Sequence, residues 1–367
     1  AACSFGLCLS AGLRCLVCMR LNSYDYFRSV AIVMIVAGHS YGAWTIDTVW
    51  EKTLANLITG GTALFVFISG FFFHHVFYRN FQYGAFLEKK YKFVFQPYLI
   101  LSLLGLCFFV VTAEPLPYNN ELAIGDPQGW GQWLRAIAIY LWTGKLATPY
   151  WYIPFILIMF LLSPFFVLYI RLAASVRIAA CLLLLCVAVL IHRPQENLYP
   201  LRSVLYFIPV YLLGILSSIH HEQVARALRG KTGLLGVAVL SLALFQAFFY
   251  EGYGNFHKEK MFVYGGVDIL LIQKVVMCFF LLSWLQHYEH RHLPVLKMLA
   301  STSFAVFFIH PWVLFALSAS GLRALLDLLP GLIGFGVTFC LVLWVSVLTA
   351  YLIKASLKDR SRYLTGW

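Results

Sequence analysis

Ten stretches of predominantly apolar residues, at 27–46, 54–77, 93–113, 150–170, 175–191, 202–219, 232–250, 267–285, 299–319 and 332–353, follow one another along this chain. Each is close to the length of about 20 residues that an α-helix needs to cross the hydrocarbon core of a bilayer. Apolar residues make up 61% of the 367-residue chain and charged residues only 11%. A soluble domain carries roughly 25% charge, so too little polar surface exists to coat a water-soluble particle of this size. Lipid is the expected outer solvent. Because lipid offers the backbone no hydrogen bonds, the spans are expected to be helical. The expectation is an all-α, polytopic integral membrane protein of about ten transmembrane helices, with no internal repeat or low-complexity linker to divide it.

The formal charge of +12 raises the question of an acidic partner. Its Lys and Arg residues sit in short segments between the apolar runs, with no basic stripe interleaved with aromatics, so nucleic acid is not the expected partner. With a cytoplasmic N-terminus, 18 basic residues fall on the inner side and 8 on the outer, and Lys274 falls within a span. The positive-inside rule then predicts both termini in the cytoplasm. Residues 1–18 contain Cys15-x-x-Cys18 without a second pair at zinc-binding spacing, and Arg14 interrupts any signal-peptide core. They read as an N-terminal extension of doubtful origin, before a membrane domain at 19–353 and a basic cytoplasmic tail at 354–367. No metal site is expected. The outer segment 114–149, rich in Pro, Gly and Trp, reads either as a re-entrant or interfacial hairpin or as a surface on which sugar rings stack.

Ionisable side chains within a span are costly unless partnered, which makes each a candidate for function. Arg28 and His39 are 11 residues apart, three helical turns plus roughly 20°, so they share a helix face about 16 Å apart along the axis. A cation at the inner mouth suits the phosphates of a cytoplasmic donor. A histidine deeper in suits a general base acting on a hydroxyl. The plainer readings are a positive-inside anchor for Arg28 and an interhelical hydrogen bond for His39. His310, followed by Pro311, is expected at a depth similar to His39. Lys274 could face the same space or reach towards the surface. In the second span, Gly60, Gly61 and Gly70 permit close helix packing or a substrate groove. Ser69 lacks the first glycine of a nucleophile elbow and is not expected to be catalytic.

Several segments together resemble the acyltransferase-3 family of bacterial membrane acyltransferases. They are Tyr26-Phe27-Arg28 through Gly38-His39, Phe65-Val66-Phe67-Ile68-Ser69-Gly70-Phe71, the basic stretch before Gln96-Pro97-Tyr98, Tyr150-Trp151-Tyr152-Ile153-Pro154, and Ser303 through Pro311. The resemblance implies transfer of an acyl group, commonly acetyl, from acyl-CoA to a hydroxyl of a cell-envelope or exported glycan, at the bacterial cytoplasmic membrane. It implies Arg28 and His39 as the essential pair, with His310 beside them, and acyl-CoA as a co-substrate rather than a bound cofactor. Where the family often carries R-x-x-R, this chain has Lys89-Lys90-Tyr91-Lys92, so Lys89, Lys90 and Lys92 join Arg28 as donor-binding candidates. These lysines keep the charge but lose the fork geometry of arginine. Trp151, Tyr152 and Lys274 are the acceptor-side candidates, and the fused esterase-like module of some relatives is not expected. The expected partners are acyl-CoA, a glycan or lipid-linked sugar and the bilayer, with a homo-oligomer left open. The competing reading is a transporter or flippase of a glycan or lipid-linked precursor, its intramembrane charges lining a path.

Overall fold

The computed structural model describes residues 21–42, 44–112 and 114–367. The N-terminal extension with its four cysteines lies outside the described residues. The chain is 77% helical. Eight helices are long and apolar enough to cross a membrane, nine if one bent pair counts as a single span.

Helix α1 (Asn22–Gly38) has 17 residues. It is followed by α2 (Val49–Ile58), α3 (Gly61–Phe72), α4 (Tyr83–Lys90), α5 (Gln96–Thr112) and α6 (Trp130–Thr143). Then come α7 (Tyr152–Leu161), α8 (Ser163–Arg171), α9 (Ala174–Ile191), α10 (Pro200–Ile219), α11 (His221–Leu228) and α12 (Thr232–Phe249). The series ends with α13 (Ile269–Leu285), α14 (Pro294–Ala319), α15 (Leu322–Leu326), α16 (Gly331–Leu357) and α17 (Ser361–Thr365).

The ten apolar runs and the spanning helices differ in two places. The first run stops being helical at Gly38, where His39 takes the C-cap. The fourth is broken at Leu162, because Pro164 in the first turn of α8 has no N–H to continue the helix. Segment 114–149 contributes α6, which meets the stretch Thr148–Leu161 at 75°. Trp130 on α6 is 87% exposed, as befits an aromatic residue at a membrane interface.

Helix α1 is central, packing on α3, α13, α14 and α16. Its Tyr26, Phe27, Ala31, Ile32 and Val36 are fully buried. Helices α9 and α12 lie outermost, and Leu182, Leu183, Leu234 and Val237 face outward. In water such leucines would be a liability; in lipid they are the solvent-matched surface. Helices α3 and α10 cross with their backbones nearly touching. A Cβ at Gly70 would overlap the Tyr211 carbonyl, and one at Gly214 would overlap that of Phe67. Close helix packing is therefore realised at the glycines, while on another face of the span Phe65, Ile68, Ser69 and Phe72 line a cavity.

Among the described residues there is, beyond the helices, one two-residue parallel ladder, with Arg193 opposite His257 and Pro194 opposite Lys258. It ties the α9–α10 loop to the α12–α13 loop, at the end of the bundle where α1 finishes. The basic tail does not hang free: α17 packs on α5, and Arg362 lies 5.9 Å from the Phe93 ring centre.

Candidate active site

Helices α1 and α14 run side by side and bring His39 against His310. His310 Nε2 is 3.3 Å from His39 Nδ1, and the rings are stacked with centroids 5.3 Å apart. The other His310 nitrogen, Nδ1, is 2.9 Å from the Val306 carbonyl oxygen. A carbonyl only accepts, so Nδ1 of His310 carries the hydrogen, and in the neutral ring Nε2 is then an acceptor. His39 must therefore donate from its Nδ1, which leaves the lone pair on His39 Nε2 open. His310 is fully buried and acts as the holder; His39 is half-buried and lines two cavities. Pro311 contributes no N–H to α14, and side chains serve the loosened turn: Tyr150 Oη donates to the Phe308 carbonyl at 2.8 Å and in turn accepts from Trp312 Nε1 at 2.8 Å.

Arg28, three turns back along α1, lines a different cavity of about 450 Å³. Its guanidinium sits 3.6 Å from Asp25. The walls are aromatic, including Phe65, Phe72, Phe77, Phe86, Phe160 and Phe304. Two π-helical turns, Phe73–Phe77 and Tyr91–Phe95, border it, a distortion that recurs at functional sites. Of the three lysines, only Lys90 lines this cavity, its Nζ 4.6 Å from the centres of both the Phe77 and Phe160 rings. Lys89 points into a small surface pocket, and Lys92 pairs with Glu88.

A polar cavity of about 220 Å³ adjoins His39. Sequence reasoning missed seven of its lining residues, which come from three connecting segments: Lys145 and Thr148, then Arg193, Glu196 and Asn197, then Asn255 and His257. Lys145 is 2% exposed, bonded to Glu196 at 3.3 Å and set over the Tyr118 ring at 4.0 Å. Burial lowers the Arg193 pKa from the ordinary guanidinium value, opposed by Tyr206 and Asp268; the group stays charged at neutral pH. Three non-glycine residues of this loop, His192, Glu196 and Asn197, hold positive φ of 58°, 48° and 56°. Such strain persists only where the surroundings impose it. The lone intramembrane histidines were visible in the sequence; these loop residues carried no periodic signal.

Ile35 lines both the Arg28 cavity and the polar cavity. His39 is shared by the polar cavity and a third of about 540 Å³, lined by Phe109, Tyr118, Pro311 and Trp312 among others. The acceptor-side candidates separate: Trp151 lines the polar cavity, while Tyr152 faces the Arg28 cavity. Lys274 lines none of the four cavities described. It is 1% exposed, and its Nζ donates to the Asn56 and Leu57 carbonyls at 2.9 and 2.8 Å. It thus caps the C-terminus of α2, where carbonyls lack helical partners. Replacing Lys274 with methionine strands two buried carbonyls and is expected to cost about 1–3 kcal/mol. Thermal unfolding in detergent checks this; a raised acceptor KM at unchanged stability would instead return Lys274 to the site. Among the described residues, no group of three or more His, Cys, Asp or Glu is placed to hold a metal ion.

No curated protein and no solved structure gives a significant match to the chain. Against protein families, residues 21–351 match the model of the acyltransferase domain of the acyltransferase-3 family. That span holds α1 through most of α16, including Arg28, His39, Lys90, Arg193 and His310. The histidine pair and the flanking cavities therefore lie inside the domain that defines the family, and the chain belongs to the acyltransferase-3 family of membrane acyltransferases.

Proposed function

We propose that the protein transfers an acyl group, most simply acetyl, from acyl-CoA on the cytoplasmic side to a hydroxyl of a glycan or lipid-linked sugar on the other side. The observation that carries this reading is His39, held by His310 on the lining of the polar cavity, which meets the basic aromatic cavity of Arg28 at Ile35. The charge count of 18 against 8 supports a cytoplasmic Arg28 end of α1. Arg28 and Lys90 then meet the donor's phosphates, and the aromatic walls take the apolar parts of its arm. The acceptor hydroxyl gives its proton to His39 Nε2 as its oxygen attacks the thioester carbonyl. The tetrahedral adduct collapses to an ester, and the departing thiolate takes the proton back from His39. The setting is the bacterial cytoplasmic membrane.

Two experiments test this. Mass spectrometry of envelope glycans from cells with and without the gene should show an acyl mass lost with the gene; identical acylation in both would overturn the reading. The donor assignment predicts unequal lysines. A charge-assisted hydrogen bond contributes about 1.5–3 kcal/mol, so Lys90→Ala should raise the KM for acyl-CoA roughly tenfold or more. Lys89→Ala should move it little. Initial rates in membrane vesicles decide, and equal effects of the two changes would remove Lys90 from the donor site.

A further inference from the structure

The lining of the polar cavity carries more fixed positive than negative charge. Of its permanently charged lining residues, Lys145 and Arg193 stand against Glu196 alone, and Glu196 is spent on Lys145. Arg193 is 4% exposed. Its Nε donates to Asn197 Oδ1 at 3.2 Å, while its two terminal nitrogens meet no acceptor among the described residues. Asp268, outside the lining, offsets part of the Arg193 charge, but its oxygens are held by the Tyr206 hydroxyl at 2.7 Å and the Leu271 N–H at 2.9 Å and do not fill the guanidinium fork. Aromatic rings fix the guanidinium plane, with Trp151 at 4.8 Å and Phe207 at 5.4 Å. A buried guanidinium costs several kcal/mol to desolvate. Held flat with its fork unfilled, it is preorganised for a bidentate anion, carboxylate or phosphate.

We infer that the acceptor is anionic, and that Arg193 grips its carboxylate or phosphate while a neighbouring hydroxyl of the same molecule is presented to His39. This rests on the acyl-transfer reading above, because the two residues are joined only by lining one cavity of about 220 Å³. Trp151 supplies an aromatic wall there, against which a sugar ring packs. The anion has two sources: the carboxylate of an acidic sugar, or the phosphate of a glycosyl phosphate or lipid carrier.

The test is equilibrium binding to the purified full chain in bilayer nanodiscs, using methyl glucuronide, glucose 1-phosphate and methyl glucoside as probes. At least one anionic probe should bind about tenfold or more tighter than the neutral glucoside, the worth of a charge-assisted bidentate contact. Preference for the glucuronide points to an acidic sugar and preference for the phosphate to a phosphorylated acceptor; either supports the inference. Arg193→Gln should abolish the preference, and Arg193→Lys should keep part of it. Equal binding of all three by the unaltered protein overturns the inference without need of any variant. So does a preference that survives in Arg193→Gln. Binding needs no turnover, so anion preference without acyl transfer would sink the transferase reading and leave the anion site standing.

Discussion

Replacing His39 with alanine is expected to lower acyl transfer roughly 100- to 10,000-fold, the usual worth of a positioned general base, while the protein still accumulates in the membrane. The reason is geometric. His39 sits at the end of α1, half-buried between two cavities, and little of the core depends on its ring. Glutamine at the same position should fail equally, since it can hydrogen-bond but cannot take the proton. His310 plays a different part. Its contact to the Val306 carbonyl fixes which of its nitrogens accepts, and thereby the tautomer of His39. His310→Ala should therefore leave a base free to adopt the wrong tautomer, with a loss of about 10- to 100-fold, as for other orienting partners of histidine. Acetyl transfer measured in vesicles, normalised to the protein present, separates these outcomes. Undiminished transfer by His39→Ala, or a larger loss from His310→Ala than from His39→Ala, would reverse the assignment.

The second large effect concerns folding. Gly70→Leu or Gly214→Leu should prevent accumulation of folded protein, because each side chain would be driven into the backbone of the partner helix and not into a yielding side chain. Overpacking a core costs typically about 1–3 kcal/mol when neighbours can shift. At the α3–α10 crossing the obstacle is a peptide carbonyl on either side, so helix separation is the only relief. Gly336→Leu provides the control: its glycine faces open space within α16, and a leucine there meets lipid. Size-exclusion profiles of the three variants in detergent should show the first two aggregated or absent and the third unaltered. A monodisperse Gly70→Leu would mean that the crossing is looser than described.

Much of the architecture was readable from composition, because a chain this poor in charge can satisfy its backbone in lipid only by coiling it. The end of α1 and the break at Leu162 were not. Hydropathy registers what a segment is made of and not the direction it takes, so a kinked stretch scores like a straight one. On α1, spacing alone placed Arg28 and His39 on one face, and the structure spreads them over successive cavities along it. The lysines show the opposite limit. Lys89 and Lys90 have the same charge but project about 100° apart on a helix, and only the position of α4 against the aromatic wall selects Lys90. Arg193, Lys145 and His257 were out of reach for another reason. They come from loops far apart in the chain, which no periodicity links; the 193–194 and 257–258 strands bring Arg193 and His257 together, and the ion pair with Glu196 brings in Lys145.

Ile35 is shared by the linings of the Arg28 cavity and the polar one. A protein that hands a small group from one face of a bilayer to the other risks becoming a wire for protons, and so a drain on the electrochemical gradient the membrane maintains. On the proposed acyl-transfer reading, an aliphatic side chain bordering both cavities answers that risk: a thioester-bearing arm can push past a methyl group, whereas a file of water molecules finds nothing there to hydrogen-bond. On that reading chemistry and insulation share one helix, and the residue that borders both chambers is also one the travelling acyl group would brush against.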